Sequence, residues 1–153
     1  MCISTTSQPS SAATAALSGA WLSAVTSFHI VAPAATAARA EAAMASGVAR
    51  EKIWLDPGIG FGKTLAHNLA LTARLGALVD LGFPVLYAAS RKRTIQAIDP
   101  TATLATDRLG GSLALALEGA RRGARMVRVH DVRETVQALK VRATLMAAVT
   151  AAV

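Results

Sequence analysis

Three short apolar runs punctuate the chain: "KIWLD" at 52–56, "PVLYAAS" at 84–90 and "RMVRV" at 125–129. Each is bounded by turn residues or charges and is too short for a helix, so each reads as a buried strand. The text between and after them has apolar residues at helical spacing. "HNLALTARLGALVDLG" closes at Gly82, "RKRTIQAI" is a short helix, "LATDRLGGSLALALEGARRG" closes at Gly123, and "HDVRETVQALKVRATLMAAV" follows the third strand. Upstream, "PAATAARAEAAMASGV" has helical composition, with Pro33 at its start and Gly47 where a helix would stop. The first thirty or so residues are Ser, Thr and Ala text almost free of charge, in which only "AVTSFHIV" (24–31) has the composition of a weak strand. Strands alternating with helices predict an α/β fold of parallel βα units.

In parallel α/β folds, ligands sit at the carboxyl ends of the strands. The polar residues of this chain concentrate there. Asp56 ends the first strand, Ser90, Arg91 and Lys92 end the second, and Arg128, His130 and Asp131 end the third. A carboxylate such as Asp56 can accept two N–H donors from a planar heterocycle, and Lys92 can donate to a ring carbonyl or nitrogen, which suits a guanine-like or pterin-like ring. Arg128 and His130 are alternate residues of an extended segment and can share a phosphate. The glycines of "GIGFG", Gly60 among them, let backbone approach a flat ligand, and Phe61 can supply an aromatic wall. Plainer roles stand beside these: Asp56 as a turn residue bonding its own backbone, His130 and Asp131 as a helix cap, Thr64 as the cap of the following helix, and "SRKR" as an exposed helix start.

"LDPGIGFGKT" also resembles a nucleotide cradle, but the spacing excludes one. The phosphate loop requires glycine at position 57, which is Pro57, and the dinucleotide fingerprint requires glycine at position 63, which is Lys63.

Composition narrows the remaining classes. The 153 residues make one domain of ordinary size, and 53% hydrophobic content with only 4% aromatics means that alanine carries much of the apolar fraction. The net charge of +7 invites an anionic partner, but the basic cluster at 128–142 is interleaved with Asp131 and Glu134 and no nucleic-acid recognition motif accompanies it. A nucleic-acid partner is therefore not expected, a basic nucleic-acid-binding domain being the weakest alternative. The single cysteine, Cys2, excludes an intramolecular disulfide and fits a reducing, cytoplasmic setting. No Lys or Arg precedes Arg39, so the positive start of a signal peptide is missing, and no apolar run reaches membrane-spanning length.

Four ordered blocks, "DPGIGFGKTLAHNLAL", "FPVLYAASRKRTIQAI", "DRLGGSLA" and "GARMVRVHDVRETVQAL", together resemble the C-terminal part of dihydropteroate synthase, the folate-pathway enzyme that is the sulfonamide target. The resemblance covers about residues 34–153 and implies the last part of a TIM-type (β/α)8 barrel, incomplete here, since such a barrel takes at least about 200 residues. Residues 1–33 are expected to be a non-matching, poorly ordered segment, and 34–153 a partial pterin-binding domain. The family condenses 6-hydroxymethyl-7,8-dihydropterin pyrophosphate with p-aminobenzoate, releasing pyrophosphate with Mg2+ assistance. The resemblance implies that Asp56 and Lys92 hold the pterin, with Lys92 near the reacting carbon. It also implies that Ser90, Gly60 and Phe61 border the p-aminobenzoate site and that Arg128 and His130 take the pyrophosphate. The family's Mg2+ contacts belong to its N-terminal signatures, which residues 1–33 do not match, so no metal ligand is expected in this chain. The expected state is a truncated product, a homodimer or a piece that depends on a missing N-terminal part, with a non-catalytic pterin-binding module as the alternative to an enzyme. Two departures from the family's pattern are Ala88, where a glycine usually precedes "xSRK", and Gln96, where a glycine follows "RKxxI".

Overall fold

A computed structural model describes residues 33–151. The strand expected at 24–31 and the expected lack of order before Pro33 fall outside that range. The chain divides into two compact units, Met1–Ile53 and Trp54–Val153. In the first, α1 (Pro33–Ala45) ends as the glycine predicts: Gly47 adopts φ +93°, its N–H donates to Met44 O at 2.9 Å, and the Val48 N–H donates to Ala43 O at 3.0 Å. This paired closure satisfies the last carbonyls of the helix. A 3-10 turn, Arg50–Lys52, follows.

The second unit contains the parallel βα repeat. Leu55 bridges Val85 in parallel, and β1 (Leu86–Tyr87) pairs in parallel with β2 (Met126–Val127), Leu86 opposite Met126 and Tyr87 opposite Val127. The three predicted strands therefore lie side by side in one direction, as expected. Their regular pairing is shorter than the apolar runs: only Leu55 of "KIWLD" pairs, with Val85 to Tyr87 of the second run and Met126 and Val127 of the third.

The helices follow the predicted order with three local differences. The first is one helix in the pattern but two in the structure, α2 (Leu65–Ala73) and α3 (Leu75–Val79), separated at Arg74. Thr72 turns its hydroxyl back to Asn68 O at 2.8 Å and meets Tyr87 Oη at 2.8 Å, and such back-bonding bends a helix. The second, α4, is short as expected but runs Arg93–Ile98, so that Lys92 precedes it. The third opens as a 3-10 turn, Ala105–Arg108, with Asp107 Oδ2 accepting the Leu104 N–H, before α5 (Leu109–Arg121). Gly123 at φ +94° then closes α5 through an Ala124 N–H bond to Gly119 O. α6 (Val132–Ala151) completes the chain and packs on α5. Among the described residues no helix is long and apolar enough to cross a membrane.

Tyr87 is the pillar of the core. Its side chain is 1% exposed, its hydroxyl reaches Thr72 on α2, and its ring lies against Gly119 on α5, where a Cβ would stand 2.6 Å from Cδ1. Leu55, Ile59, Leu75 and Val85 are likewise buried apolar residues of this unit. Burial raises the Tyr87 pKa, and the Thr72 hydrogen bond opposes that shift.

Two adjacent glycines of α5 test this packing. An added Cβ at Gly111 would fall 2.5 Å from Ile95 Cγ2, whereas one at Gly110 would meet nothing within 4 Å. Gly111→Ala is expected to lower the unfolding free energy by about 1–3 kcal/mol through overpacking. Gly110→Ala should raise it by about 0.5–1 kcal/mol, because alanine suits a helix better. Chemical denaturation of both variants measures the difference.

Candidate functional site

The carboxyl ends of the three strands share one rim. Asp56 follows Leu55 directly, and the parallel register carries on past β1 and β2 into two loops, 88–92 and 128–131, that are tied together by side chains. Ser90, only 5% exposed, places its Oγ 3.0 Å from His130 Nδ1 and accepts the His130 backbone N–H at 3.2 Å. With its own proton the hydroxyl can donate to Nδ1, which in that tautomer puts the ring proton of the exposed His130 on Nε2. Next to it, the Arg91 guanidinium forks onto both oxygens of Asp131, Nε to Oδ2 at 3.1 Å and Nη2 to Oδ1. That pair holds the Asp131 carboxyl below the ordinary carboxylate range, the Arg91 hydrogen bond being the largest cause and desolvation opposing it. Of the two roles open to Asp131, its backbone O accepts the Thr135 N–H at the start of α6 while its side chain serves the loop.

The glycine loop after Leu55 is held by side chains that bond its main chain. Asp56 Oδ1 accepts the Gly58 N–H at 2.7 Å, the turn role anticipated as its plainer reading. Gly58, Gly60 and Gly62 all have positive φ, at 69°, 78° and 59°. At Gly60 the positive φ disfavours a side chain, and a Cβ would sit 2.9 Å from Lys92 Cδ, so that the lysine stem would have to shift. Asn68, buried on α2, accepts the Gly60 N–H at 2.9 Å. Lys63 closes the loop with Nζ bonds to Gly58 O at 2.9 Å and Phe61 O at 3.2 Å. Burial lowers the Lys63 pKa, and the nearby Asp56 carboxylate partly restores it. Thr64 caps α2 through the His67 N–H, as expected.

The loop meets the second strand end at Lys92. Its stem lies on Gly60 and its ammonium stands 4.1 Å from the centre of the Phe61 ring, itself 59% exposed. A cation over an aromatic face beside open backbone is a surface suited to a flat, electron-rich ring. Gly60, Phe61 and Lys92 thus come together as one group, and Ser90 with His130 as another. Asp56 stands at the same strand ends and forms no ion pair with Lys92 among the described residues. Arg128 donates its backbone N–H to Tyr87 O at 3.0 Å and leaves its side chain exposed. Among the described residues, no group of three or more His, Cys, Asp or Glu is placed to hold a metal ion.

Sequence reasoning overlooked Asn68, Arg108 and Ser112 as members of this region. Asn68 was readable as the one amide on the apolar face of "LAHNLAL". Arg108 and Ser112 were readable as polar residues four apart in "DRLGGS", a spacing that sets them on one helix face.

Comparisons with known proteins bear on the same segment. Residues 25–130 match the family described as pterin binding enzyme. Dihydropteroate synthase of Escherichia coli K12 is 48% identical over 103 residues, covering 67% of this chain and 36% of the relative. Among solved structures, Xanthomonas albilineans dihydropteroate synthase with 4-aminobenzoic acid superposes with a TM-score of 0.75 at 41% identity over 79% of this chain and 45% of that one. The same enzyme in complex with 7,8-dihydropteroate gives 0.73 at 39% identity, over 80% of this chain and 48% of that one. The chain thus spans less than half the length of these relatives. The fold is the parallel βα part of a TIM barrel, left incomplete.

The acidic groups that brace this unit predict its response to pH. Asp131 is depressed by Arg91, and Glu118 is held down to about 2, chiefly by its hydrogen bond from Arg121 and also by Arg122. A carboxyl whose folded pKa lies below its unfolded value contributes stability that is fully present above about pH 4 and is lost as the pH falls through the folded value. The urea midpoint is therefore expected to drop between about pH 4 and pH 2. Asp131→Asn and Glu118→Gln should each flatten part of that slope, read as urea midpoint against pH for the three proteins.

Proposed function

The chain belongs to the pterin-binding enzyme family, and we propose that its rim is the pterin- and p-aminobenzoate-binding portion of a dihydropteroate synthase. The reaction joins 6-hydroxymethyl-7,8-dihydropterin pyrophosphate to p-aminobenzoate, giving 7,8-dihydropteroate and pyrophosphate. The observation that carries the reading is the group formed by Gly60, Phe61 and Lys92, a bare backbone edge, an aromatic face and a cation within contact of one another. That the Xanthomonas relatives bind 4-aminobenzoic acid and 7,8-dihydropteroate supports it.

In this reading Lys92 donates to the pterin ring and Asp56 accepts from it with the carboxylate oxygen that its turn leaves free. Ser90, Gly60 and Phe61 border the p-aminobenzoate. The Nε2–H of His130 and the unpaired Arg128 guanidinium take the pyrophosphate. The aromatic amine brings its own lone pair: its nitrogen bonds to the pterin methylene carbon, the carbon–oxygen bond to pyrophosphate breaks, and the amine proton is released. The chain's residues therefore act by positioning and by stabilising the departing anion. Magnesium, which the resemblance implies, would be held by the family's N-terminal signatures together with the substrate's phosphates, and no step is assigned to it. A cytoplasmic setting and a homodimer belong to the same proposal.

Asp56→Asn is a selective probe, because an amide oxygen still closes the Gly58 turn while the second acceptor becomes a donor. Isothermal titration of the chain with 6-hydroxymethylpterin should show binding, weakened about tenfold or more by Asp56→Asn and by Lys92→Ala with circular dichroism unchanged. Equal affinity in all three proteins, or none in the parent, overturns the reading. Titration with p-aminobenzoate and a turnover assay then separate a synthase from a pterin-binding module.

A further inference from the structure

Arg91 is the sole described non-glycine residue with positive φ, at 57°, a left-handed conformation that L side chains rarely adopt. Both of its backbone polar groups are engaged, one from α5 and one from the 3-10 turn that precedes it. The Arg91 N–H donates to Ser112 Oγ at 2.9 Å, and the Arg91 O accepts Arg108 Nη1 at 3.0 Å. The two clamping residues are themselves joined, Ser112 Oγ donating to Arg108 O at 2.6 Å, one helical turn apart. Arg108 is 7% exposed, and its other donors go to Ala102 O, Thr103 O and Gln96 Oε1. All of these acceptors are neutral. A guanidinium buried without a carboxylate is costly, so simple space-filling does not account for it. What it accomplishes is specific: one planar fork fixes the Arg91 peptide, the 102–103 turn and α4 relative to one another.

We infer that Arg108 and Ser112 are positioning residues, which hold the Arg91 peptide in its left-handed conformation and thereby set the direction in which Lys92 leaves the loop. The inference rests on the reading of Lys92 as a pterin contact, but its geometry does not. Lys92 is extended, with φ −68° and ψ 153°, and starts α4, its O accepting the Ile95 N–H at 3.0 Å. With Arg91 left-handed before it, the Lys92 stem is laid across Gly60 and its ammonium over Phe61. An Arg91 peptide returned to ordinary negative φ would rotate that side chain off the ring. Asp131 anchors the Arg91 side chain, whereas Arg108 and Ser112 hold its main chain, so the two sets of contacts are separable.

The test reads Lys92 directly. In the full chain with isotope-labelled lysine, the Lys92 ε-methylene protons should be shifted upfield by the Phe61 ring, the signal being assigned by its loss in Lys92→Arg. Ser112→Ala and Arg108→Gln are expected to return that signal to the position of an ordinary exposed lysine, and Ser112→Thr, which keeps the hydroxyl, to restore it. Gln96→Ala, which removes one Arg108 acceptor remote from the Arg91 peptide, should leave it in place. Ser112→Ala is also expected to weaken 6-hydroxymethylpterin binding about tenfold, and to change it less than twofold in a Lys92→Ala background, as coupled residues require. An unmoved Lys92 signal in folded Ser112→Ala overturns the inference whatever the ligand does. Should Arg108→Gln fail to fold, Ser112→Ala, which removes a single hydroxyl, still decides. A chain that binds no pterin, yet shows the signal lost and restored as described, defeats the functional reading and leaves the clamp standing.

Discussion

The rim depends on the crossing of two strand-end loops, where Ser90 meets His130 and Arg91 meets Asp131. The left-handed Arg91 costs about 1–2 kcal/mol relative to ordinary backbone, and such a conformation persists only where the surroundings over-determine it. Here they do so from three sides: a carboxylate fork on the side chain, a hydroxyl on the N–H and a guanidinium on the carbonyl. Without this lock the 90–92 turn would have no reason to present Ser90 inward and Lys92 toward the glycine loop at once. The same turn thus serves the core through one residue and the open rim through another two positions away.

The glycine loop solves the complementary problem of bringing main chain close to that lysine. Three residues of positive φ within five positions leave little regular hydrogen bonding, so the loop's polar groups are met by side chains: Asp56 on Gly58 N–H, Asn68 on Gly60 N–H, Lys63 on two carbonyls. Each of these bonds is worth about 1 kcal/mol, and more where a charge takes part. Lys63, which made the segment look like a nucleotide cradle, is turned back on the loop instead of outward to a phosphate.

Much of this was legible. Period and punctuation located the helical runs, though α2 and α3 read as one, and Gly47, Gly82 and Gly123 close three of those runs by a mechanism that glycine performs without strain. The parallel direction of the strands followed from alternation, and so did the placing of Asp56, Ser90, Lys92 and His130 at strand ends. What stayed hidden depends on contacts between distant residues. Nothing in "RLGGS" states that Arg108 is buried, since an arginine beside a glycine pair reads as solvated; only the arrival of the Arg91 carbonyl, 17 residues earlier, makes the site. The break at Arg74 is likewise tertiary in origin, imposed where Thr72 is held by Tyr87 from another element. The strands read too long because apolar composition records burial, and Ala88 to Ser90 are buried without being paired in a ladder.

That mismatch between burial and pairing explains the design of the rim. A ladder only two residues long fixes the register of β1 and β2 weakly, and a slip of one residue would turn every side chain to the opposite face. The cross-links between loops supply the missing definition, since Ser90 Oγ recognises both the ring and the backbone of His130 and cannot keep both bonds in a shifted register. Side-chain hydrogen bonds beyond the strand ends thus do what additional ladder rungs would do in a longer sheet. They do so with residues that also reach the open side of the rim, His130 being exposed and the Lys92 ammonium lying over the exposed Phe61 ring. Fold and site consequently share atoms at this edge, and a substitution that loosens one must reposition the other.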